Sequence, residues 1–465
     1  MTTNADHPSR EVLERFLLAQ LPASESRRVL RHLLTGCLEC QKDAGAAWKN
    51  TQPGAVTLPI DPALDARYDE VLDRVFQRVE RVERLLARER SQARELLAAL
   101  EPHPIQRQRL MLRNSAKFRS RALCEQLIEA SQERGFKDPE RALELADLAI
   151  EISRALPEET QGADPPTQLE SRAWAQSANA HRILGNHDGA ERCFATAEEL
   201  LAESSGVGIF DEARLYDLKA SLRRDQRRWT EALELHDRVI GIYQCLGQRH
   251  LLGRAYAQKA TVILEVGDLA SAISLLRRAL ELLDPKEEPR MFLAARHNLI
   301  WSLAESERYR EAFALLFHTR PFYLQAGDRM NLLRMRWLEG QVAAGLGRAE
   351  QAEVAFLEVR RAFGELSLDF DAALVSLDLA MLLARQGRSA EVQRIAGEIL
   401  ASFVSRSIHR EAIAAIALFK QAADQQRAEV ALVRQVSTFL RRSRSNPELA
   451  FEGASGGEVL PQEAE

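Results

Sequence analysis

The chain has 465 residues, 46% of them apolar and 28% charged, which lets it bury a core and excludes a broadly disordered protein. A formal net charge of −5 excludes a polyanion binder held by a global positive field, and with only eight lysines nearly all the positive charge is arginine. The longest apolar run, AIAAIALF (412–419), is far short of the ~18 residues a bilayer-spanning helix needs.

The first residues, MTTNADHPSREVLERF, carry no apolar signal-peptide core, so a cytoplasmic chain without membrane association is expected. Five cysteines in this length do not form a disulfide framework. Cys124, Cys193 and Cys245 fall in amphipathic stretches and read as small core residues.

In chain order, residues 9–48 read as three short helices: SREVLERFLLAQ, SESRRVLRHLL after Pro22, and LECQKDAGAAW. Ser9 and Ser24 stand where a side-chain oxygen can accept from free N–H groups of a first turn, so both are expected as N-caps. This head spans 1–50. Residues 51–62, rich in proline, are a flexible linker. A long connecting helix follows over 63–102, with an apolar stripe of Val71, Val75, Val79, Val82, Leu85, Leu86, Leu96, Leu97 and Leu100. EPHPIQ (101–106) ends it.

The remainder is repetitive. The unit WAQSANAHRILGNHDGAERCFATAEEL (174–200) places Ala178, Ala190 and Ala197 where two helices must touch, with LGN (184–186) as the turn. Anchored on Ala190, it recurs at Ala142, Ala232, Ala272, Ala312, Ala352 and Val392, every 40 residues from Ala232 onward. Twelve positions before each anchor stands another mostly small residue: Ala130, Ala178, Ala220, Ala260, Ile300, Gly340 and Ala380. The register predicts helix pairs at 121–134/139–156, 169–184/188–203, 209–224/229–246, 249–266/268–284, 288–305/308–325, 329–346/349–365 and 369–386/389–405. A last pair at 408–424/427–442 has lost the register, as a terminal unit can. Residues 447–465, Gly-rich with five Glu and no Lys or Arg, are expected to be a disordered acidic tail.

These features, above all residues 174–200 and GDLASAISLLRRALELLDP (267–285), resemble the tetratricopeptide repeat, although the 40-residue period exceeds that family's usual 34. The resemblance implies an all-α fold: over 103–446, a right-handed superhelix (solenoid) of tetratricopeptide-like pairs whose first helices line a peptide-binding groove.

In the head, RHLLTGCLEC (31–40) offers His32, Cys37 and Cys40, and His7 lies upstream. Two thiolates and two imidazoles make a complete four-ligand set for structural Zn²⁺. This arrangement resembles the zinc-binding anti-sigma-factor domain, a small helical bundle onto which His7, His32, Cys37 and Cys40 carry over in order. The gap between His32 and Cys37 is one residue longer than that family's pattern. The resemblance implies a structural, redox-responsive zinc and a sigma-factor partner, with residues 65–100 as the following helix.

Eighteen positions before the anchors stand Arg172, Arg214, Arg254 and Arg334, and seven positions after each come Asn179, Ser221, Thr261 and Gln341. The resemblance puts these rows in the groove beside Trp301 and Trp337. Arginine offers paired donors suited to carboxylates, and the polar row suits an extended peptide backbone. The plainer reading is arginine on solvated helix faces.

No phosphate-binding loop, HExxH or GxSxG is present, and His181, His236, His297 and His318 are scattered singles, so no enzyme is expected. The chain reads as a bacterial regulator or adaptor that binds a protein or peptide. A peptide-sensing transcription regulator and a scaffold module for a separate enzyme are the alternatives. Against direct nucleic-acid binding, the would-be recognition helix LECQKDAGAAW carries few basic residues.

Overall fold

A computed structural model describes residues 8–17, 21–34, 40, 74, 77, 84, 87–156, 166–203, 208–405, 410–443, 449 and 451. Every regular element among them is helical. The chain falls into two compact units, residues 1–130 with 148–157, and residues 131–147 with 158–465.

The first unit opens with α1 (Arg10–Leu17) and α2 (Ala23–Leu34). Ser9 caps α1, its Oγ accepting from the Val12 N–H at 3.3 Å. The second expected cap is displaced: α2 begins at Ala23 on Pro22, so Ser24 falls inside its first turn. Leu13, Leu21, Val29 and Cys40 form the small core of this head. The linker 51–62 lies outside the described residues. α3 is helical at 87–100, and residues 74, 77 and 84 are helical as the stripe predicts. It breaks at Glu101, and α4 (Ile105–Asn114) starts after Pro104. Buried Gln108 fastens the break by donating to the carbonyls of Leu100 (3.0 Å) and His103 (2.6 Å). The Leu100 carbonyl, at a buried helix end, also accepts from the His103 N–H at 3.0 Å, so Gln108 adds a second bond there and ties it to the His103 carbonyl.

The repeats follow as antiparallel pairs, and the register drawn from the sequence fixes their ends to within a few residues. They are α5 (Arg121–Arg134) with α6 (Pro139–Ser153), α7 (Pro166–Ile183) with α8 (His187–Glu203), α9 (Ile209–Asp225) with α10 (Trp229–Cys245), and α11 (Arg249–Val266) with α12 (Leu269–Leu282). Next come α13 (Pro289–Glu305) with α14 (Tyr309–Ala326), α15 (Arg329–Gly345) with α16 (Ala349–Glu365), α17 (Asp369–Arg385) with α18 (Ser389–Ser405), and α19 (Arg410–Asp424) with α20 (Val430–Ser443).

The anchors are where the helices touch: Ala190, Ala232, Ala272, Ala312 and Ala352 are fully buried, as are Ala178, Ala220, Ala260, Ile300 and Ala380. Gly340 belongs to this set for a steric reason, since a Cβ there would stand 2.7 Å from the Phe356 ring. The turns repeat as strictly as the contacts. Arg227, Gly267, Glu307, Gly347 and Gly387 all take positive φ, one per period, to reverse the chain between paired helices. Among the described residues, cores run through the second unit from Ala175 to Leu222, from Ala213 to Val342 and from Ala352 to Leu440.

Two expectations need correcting. Cys245, the last residue of α10, is exposed, whereas Cys124 and Cys193 are buried as expected. The last pair also does more than end the array. α19 packs on α18 in the ordinary way, but α20 turns inward and packs on α17, the first helix of the pair before.

Candidate functional site

The first helices stand side by side, α7 by α9, α11 by α13, α13 by α15 and α15 by α17, which aligns their rows of side chains. The sequence-derived arginine row is thereby assembled at one end. Arg172 lies 3.7 Å from Asp211, and the Arg214 guanidinium sits 4.6 Å from the centre of the Phe210 ring. Burial, followed by repulsion from Arg172, draws the Arg214 guanidinium below its ordinary pKa. Arg254 donates to Glu288 at 3.0 Å and to Asp217 at 3.5 Å. Burial pushes the Asp217 carboxyl up, against the pull of Arg254. Asp217 Oδ1, Arg254 Nε and Glu288 Oε2 are each buried without a hydrogen-bond partner. The row is therefore a half-neutralised polar patch, with Arg214 its least compensated cation. Arg334 stands apart, exposed, with its charge felt by His297 and Tyr323.

The polar row divides as well. Asn179 accepts from Arg182, and the hydroxyls of Ser221 and Thr261 bond back to their own helices at Asp217 and Ala257. Gln341 alone reaches across to another helix, donating to Asp378 at 2.8 Å.

Thr261, Trp301 and Gln341 open onto a cleft of about 570 Å³, lined also by Tyr309, Asp378 and Arg441. Thr261 is two helical turns along α11 from Arg254, ~10 Å, so the cleft adjoins the arginine row. Its floor is tight: a Cβ on Gly345 would stand 2.2 Å from the Tyr309 ring, so glycine is required for that ring to lie on α15. At the centre is Asp378, buried on α17, which accepts from Trp337 Nε1 at 2.7 Å as well as from Gln341. Trp337 also meets Phe363 edge-on at 6.0 Å.

The cleft is covered by α20. The Arg441 guanidinium lies 5.7 Å from the ring centres of both Trp301 and Trp337, 3.6 Å from Asp378 and 3.5 Å from Glu305. Burial lifts the Glu305 carboxyl above its ordinary range, and Arg441 opposes that lift. Arg434, about two turns earlier on the same side of α20, lies 3.5 Å from Glu307. Val433, Val436, Phe439 and Leu440 supply the apolar side. Phe451 stacks edge-on against Phe439 at 4.8 Å, and the rest of the expected tail, apart from Leu449, lies outside the described residues.

Asp378, Glu305, Arg434 and Arg441 were not singled out from the sequence. Asp378 had a signal, being the one charge inside the apolar run AALVSLDLAMLLA, where an acid must find partners. The arginines of α20 had none.

Of the metal ligands expected in the head, His7 and Cys37 lie outside the described residues. His32 stands half-buried on α2, and Cys40 is buried with Leu13, Leu21 and Val29. Among the described residues no three His, Cys, Asp or Glu side chains come together as a metal-holding group, and no helix is long and apolar enough to cross a membrane.

No protein-family profile and no curated protein matches the chain. Among solved structures, a Rap protein complexed with competence and sporulation factor is similar at 11% identity and a TM-score of 0.49, over 69% of this chain and 87% of that one. The apo quorum sensor NprR from B. thuringiensis is similar at 12% identity and 0.49, over 66% and 82%. NprR in complex with its cognate peptide NprX is similar at 12% identity and 0.45, over 70% of this chain and 89% of that one.

Proposed function

We propose that this chain is a non-enzymatic regulatory or adaptor protein that takes a segment of a partner protein along its first helices. The arginine row and the Trp301–Trp337 cleft are the two halves of that surface. The observation that carries the reading is that the cleft already holds a helix, α20, through aromatic, ionic and apolar contacts together. A surface that seats one amphipathic helix has the chemistry to seat another. At the other half, Arg172, Arg214 and Arg254 offer donors to an acidic segment.

The head is part of the same proposal. His7, His32, Cys37 and Cys40 would hold one structural Zn²⁺, and the bundle would engage a sigma factor, with the repeats supplying the regulatory input. The buried thiol of Cys40 beside α1 and α2 fits a ligand that is also a core residue.

The test begins with the protein that co-purifies with the full chain. A sigma factor supports anti-sigma action, whereas DNA or an enzyme supports one of the alternatives. The partner's affinity is then measured for the wild type, for the triple Arg172→Ala, Arg214→Ala, Arg254→Ala variant, and for Trp301→Ala with Trp337→Ala. Unchanged affinity in both variants, at low and high salt, overturns the groove as the binding surface.

A further inference from the structure

The place of α20 is not the one the repeat pattern assigns to it. From the α7–α8 pair to the α17–α18 pair, the second helix packs on its own first helix and on the next one, whereas α20 packs on its own first helix, α19, and back on α17. Its charged side chains reach further still. Arg441 meets Asp378 on α17 and Glu305 at the end of α13, and Arg434 meets Glu307 in the turn that follows. The helix thus crosses the first-helix face of three pairs. It does so with a simple pattern: Val433, Val436 and Leu440 bury on one side while Arg434 and Arg441, seven residues apart, lie along the acidic edge. Seven residues are nearly two turns, so both arginines fall on one stripe.

The receiving surface is complementary at each point. Asp378, Glu305 and Glu307 supply the negative charge, Trp301 and Trp337 supply aromatic faces for a guanidinium, and Met381 and Leu382 line the apolar floor. The tether is short: five residues, 425–429, join α19 to α20, and Gln426 takes positive φ. A helix held so closely competes for its own site at an effective concentration of about 1 mM.

We propose that the Trp301–Trp337–Asp378–Glu305 cleft is a docking site for an amphipathic helix of a partner protein that carries two arginines seven residues apart beside a Val/Leu stripe, and that α20 is its built-in competitor. This rests on the proposed role of the first helices as a partner-binding face. A partner helix must replace both the apolar side and the arginines of α20, which makes the site selective for basic amphipathic helices. Docking there frees α20 and uncovers the cleft end nearest Thr261, where the arginine row begins.

The experiment uses a fluorescein-labelled peptide of residues 427–446 and the full chain, as wild type and as an Arg434→Glu, Arg441→Glu variant. The peptide should bind the variant at least ~10-fold more tightly than the wild type, because the tethered competitor is weakened. A peptide with the same two substitutions should lose binding to the variant by a comparable factor. Circular dichroism checks that the variant keeps its helices; should it unfold, hydrogen exchange of residues 430–443 in the wild type, with saturating peptide, gives the same information. Faster exchange supports displacement. Equal peptide affinity for the two chains, or no change in exchange at saturation, overturns the proposal. A dimer that exchanges α20 between copies overturns the assignment to a different partner. If the peptide fails while Trp301→Ala with Trp337→Ala still weakens the co-purifying protein, the competitor idea falls and the wider groove reading stands.

Discussion

Replacing Asp378 by alanine should cost about 3 kcal/mol, the low end of the penalty for removing one partner of a buried charged network. The figure comes from the groups that lose their acceptor. Trp337 Nε1 at 2.7 Å and Gln341 Nε2 at 2.8 Å both donate to Oδ2, and Arg441 lies 3.6 Å from Oδ1. Hydrogen bonds to a charged group are worth ~1.5–3 kcal/mol each, and part of that is offset because a carboxylate no longer has to be desolvated. Asp378→Asn keeps an acceptor oxygen but not the charge, so about half the loss is expected. Long repeat arrays need not unfold in one step, so a global urea midpoint alone is an ambiguous readout. Hydrogen exchange of residues 329–345, 369–385 and 430–443 localises the effect. Exchange should accelerate in all three segments and leave 187–203 unchanged. A loss below ~0.5 kcal/mol, within the range of an ordinary surface substitution, would refute the view of Asp378 as the hub of the cleft.

Acidification should destabilise the repeats. Burial, reinforced by nearby Arg224 and Lys259 at His236 and by Arg334 at His297, lowers both imidazoles to about 4. The unfolded chain therefore binds more protons, and stability should fall from pH 6.5 down to about 4 and then level off, by roughly 3 kcal/mol per histidine; His236→Gln with His297→Gln should flatten that slope in urea melts. Ala260→Leu and Ala380→Leu, both at fully buried helix contacts, should each cost ~1–3 kcal/mol by overpacking, and melts without loss would show the contacts to be loose. Ser367 takes positive φ without a glycine, so Ser367→Gly should stabilise by up to ~1 kcal/mol, read as a raised urea midpoint. Purified under reducing conditions, the full chain should carry about one equivalent of zinc, lost in Cys37→Ser with Cys40→Ser together with the order of the head; less than about a tenth of an equivalent removes the site.

The repeat array was legible because its constraint is local and recurs. A contact alanine and a left-handed turn must fall at fixed offsets for two helices of this length to close on each other, and both did, from Ala190 to Val392. Arg227 and Glu307 show how firmly the geometry dictates those turns, since each bears the strain that glycine relieves at Gly267 and Gly347. The candidate site was legible only in part. Spacing put Arg172, Arg214 and Arg254 on one face, but it did not disclose the carboxylates of Asp211, Asp217 and Glu288 that meet two of them. Asp211 and Asp217 sit at different offsets within α9 and Glu288 precedes α13, so no periodic row announces them. Likewise Ser221 and Thr261 share a row with Gln341, yet their short hydroxyls are satisfied by their own backbone while the longer amide crosses from α15 to α17.

The position of α20 was out of reach for a different reason. A helix pair in register is recognised by what it shares with its neighbours, and α19–α20 shares least. Loss of register reads equally well as decay at the end of an array or as a change of packing partner. Three dimensions decide between them through Arg441, which sits against two tryptophans that were themselves read as groove residues. The same cation serves an intramolecular contact and marks the chemistry the cleft selects. An array that merely ended at α20 would need polar residues outward and an apolar face against α19. It would not need a guanidinium over Trp301 and Trp337, or a buried aspartate beneath it. Those groups are more than a cap requires, and their surplus is what a site for a second helix would use.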